Sequence, residues 1–324
     1  MTDKPKVIVS RRWPAEVEAR LRQLFDVTLN EADRPMSQEA LKAALVEADA
    51  LFPTVTDRVD AEVLAAEPLR AKLIGNFGVG FNNIDVEAAK ARGITVTNTP
   101  DVLTDATADI AMTLLLTVAR RAGEGERHVR GSTWTGWRPT HMMGAQVTGK
   151  TLGIIGFGRI GRAMAKRAHH GFGMPIVFYD AYPVDPAAAA ELGASPRDTV
   201  EAVLEEADFV SLHCPGGAAN HHLMNSERFA RMQKHAFLIN SARGDVVDEA
   251  ALVAALEAGT IAGAGLDVFE AEPKVSPALC EMENVVLLPH LGSATTETRV
   301  AMGMRVVDNA VAFFAGQTPG DKVT

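Results

Sequence analysis

The sequence predicts an α/β protein built from two doubly wound parallel sheets, and three observations lead there. Short apolar, β-branched runs alternate with helix-like spacing of apolar residues up to Pro100. A second alternation of the same kind starts afresh at Thr151. One strong helical pattern, Thr295 to Ala315, is left over once that second alternation is complete. Repeated strand–helix units imply parallel strands with helices covering both faces of each sheet.

The first alternation reads as five strands, Lys6–Ser10, Phe25–Leu29, Asp49–Phe52, Ala71–Asn76 and Ile94–Thr97. Between them Ala15–Gln23, Ser37–Glu47, Ala61–Ala66 and Asp85–Ala91 carry the apolar spacing of helices. A long helical segment from about Asp101 to His128 comes next, then an arm rich in Gly, Trp and Pro, Gly131–Gly144. The second alternation reads as six strands: Thr151–Ile155, Ile176–Tyr179, Phe209–Leu212, Ala236–Ile239, Gly263–Leu266 and Val285–Leu287. Ala187–Ala190 is a helix start. The unused C-terminal helix packs most simply on the first sheet. One domain then comprises residues 1–100 and 291–324, with residues 101–290 inserted as the other.

Composition narrows the function classes. At 324 residues the chain can build two sizeable cores, and 47% hydrophobic with 23% charged residues is ordinary for a soluble globular protein. A formal charge of −9, with no basic run, argues against a nucleic-acid surface. Cys214 and Cys280 lie far apart without metal-ligand neighbours, which predicts a reducing compartment rather than a disulfide framework. His169-His170 and His221-His222 lack the spacing and companions of a metal site. MTDKPKVIVS has no signal-peptide core, and the apolar run Ile110–Ala119 is too short to span a bilayer. The expectation is a cytoplasmic protein with no metal, membrane or nucleic-acid partner.

Gly156-Phe157-Gly158-Arg159-Ile160-Gly161 stands between a predicted strand and a predicted helix, and Asp180 ends the next apolar run. This is the fingerprint of a dinucleotide site. Gly156 permits the tight turn, Gly158 admits the pyrophosphate to the backbone, and Gly161 lets helix pack on strand. The helix N-terminus then faces the phosphates with unpaired N–H groups.

Three residues that could serve hydride chemistry follow predicted strands, where ligands of open α/β sheets bind. Arg243, in Asn240-Ser241-Ala242-Arg243-Gly244, could grip a carboxylate bidentately, or pair with Asp245 as a surface cap. His290, in Leu288-Pro289-His290-Leu291-Gly292, could transfer a proton, or be merely structural. Glu272, hydrogen-bonded to such a histidine, would hold one tautomer. Asp267 could cap a turn or meet a nicotinamide carboxamide. No G-x-S-x-G elbow surrounds Ser241, so a hydrolase triad finds no support.

Taken together, the motifs resemble the D-isomer-specific 2-hydroxyacid dehydrogenases, and within them the glyoxylate/hydroxypyruvate reductases. The resemblance covers nearly the whole chain. Its pieces are Asn76-Phe77-Gly78-Val79-Gly80-Phe81-Asn82-Asn83-Ile84-Asp85, the stretch Thr97 to Asp109, Gly149 to Ile155 with the glycine turn, Asn240 to Gly244, Gly265 to Phe269 with Glu272-Pro273, and Pro289-His290.

The resemblance implies two Rossmann-like doubly wound domains, an NAD(P)-binding domain (101–290) inserted into a flavodoxin-like substrate-binding domain (1–100 and 291–324). It implies reduction of a small 2-keto acid, glyoxylate or hydroxypyruvate, to the D-2-hydroxy acid by NAD(P)H. Arg243, Glu272 and His290 would be catalytic, with His290 the proton donor. Cofactor contacts would come from Thr107, Gly156, Phe157, Gly158, Arg159, Ile160, Gly161, Asp180, His213, Cys214, Pro215, Ser241, Ala242, Arg243, Asp267, His290 and Gly292. Substrate contacts would come from Leu51, Phe77, Gly78, Val79, Gly80, Trp137, Arg243 and His290. A homodimer would form through the cofactor domain and the 131–147 arm, Trp137 reaching the partner's site. Asp180, with no arginine in Ala181-Tyr182-Pro183, favours NADH over NADPH.

Two departures qualify the match. His213 to Asn220 lacks the threonines common in relatives, and Thr54 stands where phosphoglycerate-type relatives place an arginine. The second favours an unphosphorylated keto acid. Alternatives within the resemblance are dehydrogenation of another 2-hydroxy acid, or an NADH-sensing, corepressor-like binding protein.

Overall fold

Each alternation closes into its own parallel sheet. In the computed structural model, which describes residues 4–324, these sheets lie in two compact units. One comprises the described residues up to Leu103 together with Ser293–Thr324; the other is the continuous stretch Thr104–Gly292.

The first unit contains β1 (Lys6–Val9), α1 (Ala15–Leu24), β2 (Asp26–Thr28), α2 (Gln38–Glu47), β3 (Ala50–Phe52), α3 (Ala61–Leu64), β4 (Leu73–Gly75), α4 (Val86–Ala91) and β5 (Thr95–Thr97). Its strand order is β2-β1-β3-β4-β5, the flavodoxin-like arrangement. Capping side chains explain the helix starts: Ser37 accepts from the Ala40 N–H and Asp85 from the Ala88 N–H. Ile8, Leu45, Leu51, Ile74 and Val96 form the apolar core against one face.

The second unit opens with α5 (Thr104–Ala119) and α6 (Ala122–Arg130). Then come β6 (Leu152–Ile155), α7 (Arg159–Phe172), β7 (Ile176–Tyr179), α8 (Pro186–Ala190), β8 (Ala194–Pro196), α9 (Val200–Glu206) and β9 (Phe209–Leu212). It closes with α10 (Ser226–Phe229), β10 (Phe237–Asn240), α11 (Glu249–Glu257), β11 (Gly263–Leu266), α12 (Pro277–Glu281) and β12 (Val285–Leu287). The strand order is β12-β11-β10-β9-β6-β7-β8. The chain therefore reverses direction across the sheet between β6 and β9, and ligands of open α/β sheets bind at such a switch. α13 (Thr296–Phe314) belongs to the first unit, where it packs on α1 and β4.

Two expectations need correction. The second sheet has seven strands, not six. The missed β8 is a three-residue edge strand, Ala-Ser-Pro, with only Ala194 buried, too short to show periodicity. The helix expected from Asp101 to His128 is broken: Arg121 takes φ of +53° between α5 and α6. Neither Gly nor Pro marks that break. No helix among the described residues is long and apolar enough to cross a membrane.

Candidate active site

The glycine turn sits where the strand order reverses. Gly156 has φ of +92°, and a Cβ there would lie 2.6 Å from the Cys214 nitrogen. At Gly161 a Cβ would lie 2.2 Å from the Gly156 carbonyl oxygen, so helix and strand meet only through glycine. At Gly158 an added Cβ meets nothing within 4 Å. The turn is thus tight at both ends and open in the middle. Gly158 is the N-cap of α7 without a side-chain cap, and no acidic residue stands in the first turn, Arg159-Ile160-Gly161. Uncapped N–H groups and an unopposed helix dipole suit a diphosphate. Phe157 is buried and stacks on Phe178 at 4.0 Å.

Asp180, just beyond β7, accepts from the Phe157 N–H at 2.6 Å and the Tyr182 N–H at 2.8 Å. These bonds aim its carboxylate along the turn. A cavity of about 280 Å³ beside it is walled by Tyr182, Pro183, Val184 and Arg197. Arg197 was not visible as a neighbour of Asp180 in sequence. Its Nε and Nη2 are committed to Glu206, each at 2.7 Å.

On the other side of the reversal, the His213 N–H donates to the Ile155 carbonyl at 2.8 Å and its Nε2 meets Ser211 Oγ at 2.9 Å. Burial pushes the imidazole down to about 4, so the ring is neutral at physiological pH. Burial likewise pushes the Cys214 thiol up to about 11. Pro215 is exposed. After β10, buried Asn240 shapes the next loop: its Nδ2 donates to the Arg243 carbonyl at 2.9 Å, and its Oδ1 accepts from the Ala242 N–H at 3.0 Å. Ser241 Oγ is buried there without a protein partner. A buried, orphaned hydroxyl at the end of β10 fits a residue awaiting a polar ligand.

The three candidate catalytic residues all lie in the second unit, at the ends of β10, β11 and β12. His290 Nδ1 lies 2.8 Å from Glu272 Oε2, and Glu272 Oε1 accepts from the Phe269 N–H at 2.9 Å. An ionised carboxylate only accepts, so Nδ1 carries the hydrogen and Nε2 is the ring's free end. Burial works to raise the Glu272 pKa, but the hydrogen bond and field of His290 outweigh it and hold the carboxyl below its ordinary value. Both side chains keep some surface open, 34% for His290 and 28% for Glu272. Arg243 Nη1 donates to the Ala242 carbonyl at 2.6 Å. Burial draws its pKa down, opposed by the fields of Glu272 and Asp245.

Asp267 behaves as a turn cap. It has no accessible surface, and its carboxylate accepts from the Leu291 N–H at 2.6 Å and the Gly292 N–H at 2.8 Å. Together with the His290 N–H on the Asp267 carbonyl, at 2.9 Å, these bonds hold His290 at φ of +55°. Thr107 Oγ1 adds a bond to the Gly292 carbonyl at 3.1 Å. Burial raises the Asp267 pKa, the turn's N–H groups opposing.

In the first unit, Leu51 departs from its expected role. It lies fully buried within β3 in the apolar core, with no surface for a substrate. Phe77 and Gly78 are also buried, and their N–H groups are spent on the Pro53 and Asn76 carbonyls. Among the described residues, the N–H groups of Val79 and Gly80 donate to no other group.

Residues 112–292 match the family described as D-isomer specific 2-hydroxyacid dehydrogenase, NAD binding domain. The chain belongs to that family. A glyoxylate reductase of Thermococcus litoralis is 46% identical over 324 residues, covering 99% of this chain and 97% of its own. A glyoxylate reductase of Pyrococcus furiosus is 46% identical over 320 residues, covering 98% and 94%. Among solved structures, a D-isomer specific 2-hydroxyacid dehydrogenase from Polaromonas superposes with a TM-score of 0.92 at 38% identity, covering 99% and 100%. An NADPH-dependent glyoxylate/hydroxypyruvate reductase from Sinorhizobium meliloti, in complex with NADP and malonate, gives 0.89 at 36%, covering 99% and 97%.

This 2-hydroxyacid dehydrogenase also carries features that sequence reading missed or placed differently. Asn240 and the asparagines around Val79 organise loops through contacts invisible in local spacing. Trp137 is 81% exposed on the arm, which also exposes Trp134 and Met143. The His221-His222 pair does acquire a companion: Glu270 Oε1 lies 2.7 Å from His222 Nε2. The two rings stack at 3.8 Å with 26° between planes, and one ligand atom from each histidine and from Glu270 lies within 4.8 Å of the others.

Proposed function

We propose that this dehydrogenase reduces glyoxylate or hydroxypyruvate to the D-2-hydroxy acid with NADH, and that Arg243, Glu272 and His290 carry the reaction. The observation behind this reading is the 2.8 Å bond from the His290 Nδ1–H to Glu272 Oε2, which leaves Nε2 free to carry the transferable proton when the ring is protonated. The glyoxylate reductase relatives supply the substrate class. When bound, the dinucleotide supplies the hydride that adds to the keto carbon. His290 gives its Nε2 proton to the keto oxygen as the carbonyl π pair moves onto that oxygen. Glu272 holds the ring in place and balances the charge of the protonated state. Arg243 can grip a substrate carboxylate bidentately, and the Val79 and Gly80 N–H groups can each donate to a carboxylate oxygen. The first unit thus supplies substrate contacts and the second the cofactor site, with the glycine turn on the pyrophosphate.

Asp180 favours NADH. Its fixed carboxylate accepts ribose hydroxyls and repels a 2′-phosphate, while Arg197 beside it is committed to Glu206. The exposed Trp134, Trp137 and Met143 on the arm favour a homodimer, and Trp137 is proposed to contact substrate from there. A cytoplasmic location accords with the free cysteines, Cys214 and Cys280.

Steady-state assays with glyoxylate, hydroxypyruvate and pyruvate, each with NADH and NADPH, test the reading. We expect turnover of the first two substrates and a higher kcat/KM with NADH. Better activity with NADPH would sink the Asp180 argument. NADH binding without turnover of any keto acid would replace the enzyme with a nucleotide-sensing protein.

A further inference from the structure

We propose that Asn98 and Asn76 are positioning residues that aim the Val79 and Gly80 N–H groups at the substrate carboxylate. The inference rests on the substrate reading above and extends it to residues that touch neither substrate nor cofactor.

In a trans peptide the carbonyl of one residue and the N–H of the next point in opposite directions. Fixing a carbonyl therefore aims the following N–H. Asn98 Nδ2 donates to the Val79 carbonyl at 2.8 Å, which turns the Gly80 N–H the other way. The Thr99 N–H donates to the Gly78 carbonyl at 3.0 Å, which does the same for the Val79 N–H. Asn76 Nδ2 donates to the Gly80 carbonyl at 2.8 Å and reaches the Gly78 carbonyl at 3.5 Å. The held Gly78 and Val79 carbonyls thus leave the Val79 and Gly80 N–H groups to face an anion as a small nest. Asn76 supports them through its reach to the Gly78 carbonyl while pinning the end of the loop at the Gly80 carbonyl.

The clamps are themselves held. Asn83 Nδ2 donates to Asn76 Oδ1 at 3.3 Å, which orients the Asn76 amide with its nitrogen toward the loop. The Asn98 N–H donates to the Asp321 carbonyl at 3.3 Å. Arg305 binds both Asp321 carboxylate oxygens, at 2.6 and 2.9 Å, and Asn309 adds a bond at 2.8 Å. A Cβ at Gly78 would lie 2.4 Å from Val55 Cγ1, so the loop has little room to choose another path. What this loop itself contributes to recognition is preorganised peptide dipoles rather than a charged side chain.

The test compares Asn98→Ala and the near-isosteric Asn98→Asp with the parent enzyme. KM for glyoxylate should rise about tenfold in Asn98→Ala, the usual scale for one lost hydrogen bond. It should rise further in Asn98→Asp, where an anion faces the Val79 carbonyl. Saturating kcat should stay within about threefold, and the NADH Kd should not move. That split is what a general loss of structure would not produce. If Asn98→Ala does not fold, Asn98→Asp carries the test alone.

Unchanged KM in the folded variants, or a loss confined to kcat, overturns the proposal. Gly80→Pro, which deletes the N–H itself, separates the two levels of argument. A raised KM in Gly80→Pro with normal Asn98 variants rejects the positioning role only. A normal KM in Gly80→Pro rejects the loop as a carboxylate site.

Discussion

Two Gly-x-Gly turns end parallel strands here, Gly78-Val79-Gly80 after β4 and Gly156-Phe157-Gly158 after β6. In our reading both present backbone N–H groups to an anion, yet they are built differently. The turn after β6 feeds directly into a 14-residue helix. Its N–H groups are aimed by helix geometry and reinforced by the dipole. Sterics maintain it, through the absence of Cβ atoms at Gly156 and Gly161. The turn after β4 leads into no helix until Val86. Its N–H groups are aimed by Asn76, Asn98 and the Thr99 N–H instead. A diphosphate met by a helix needs little from side chains; a carboxylate met by a loop depends on them.

That contrast predicts different mutational behaviour. The largest effect belongs to Gly156→Ala. A left-handed φ of +92° with a Cβ 2.6 Å from backbone should cost more than about 2 kcal/mol of stability in urea unfolding, and NADH binding should fail with it. Gly158→Ala sharpens the comparison, because φ is −71° and the new Cβ meets no protein atom. Its stability should stay within about 0.5 kcal/mol of the parent while NADH binds at least tenfold more weakly, on the order of 1.4 kcal/mol. Equal NADH affinity in Gly158→Ala would remove the pyrophosphate from that face of the turn.

The smallest effect concerns the Glu272–His290 pair, which is made by side chains on loops. The carboxyl is held below its ordinary value, so its contribution to stability is present above that value and lost as pH falls through the lowered one. The parent should exceed Glu272→Gln in stability at neutral pH by no more than about 1 kcal/mol, because the pair is partly exposed. The gap should close as the solution is acidified below the ordinary carboxylate range. A gap that widens on acidification would mean that the pairing is wrong.

Legibility in the sequence followed the same division. The glycine turn is a local pattern, six residues between a strand and a helix, and its spacing alone suggests a role for each glycine. Arg243, Glu272 and His290 were legible as polar residues just beyond apolar strands. The clamp on the second turn was not: Asn98 reaches Val79 across 19 positions, and its side chain looks like any loop asparagine. Leu51 misled because a residue of a short apolar strand can face either the core or a ligand, and burial alone decides. Neither Gly nor Pro announces the break at Arg121, and the edge strand β8 is too short, and too exposed beyond Ala194, to show alternation.

The central claim is that His290, held by Glu272, donates the proton in a hydride reduction supported by the glycine turn. It is tested most directly by measuring, on one preparation of His290→Ala, both kcat with glyoxylate and the Kd for NADH. The account predicts a kcat at least about a hundredfold below the parent with an unchanged Kd, since a positioned proton donor is typically worth that much. Turnover within about tenfold of the parent would contradict it.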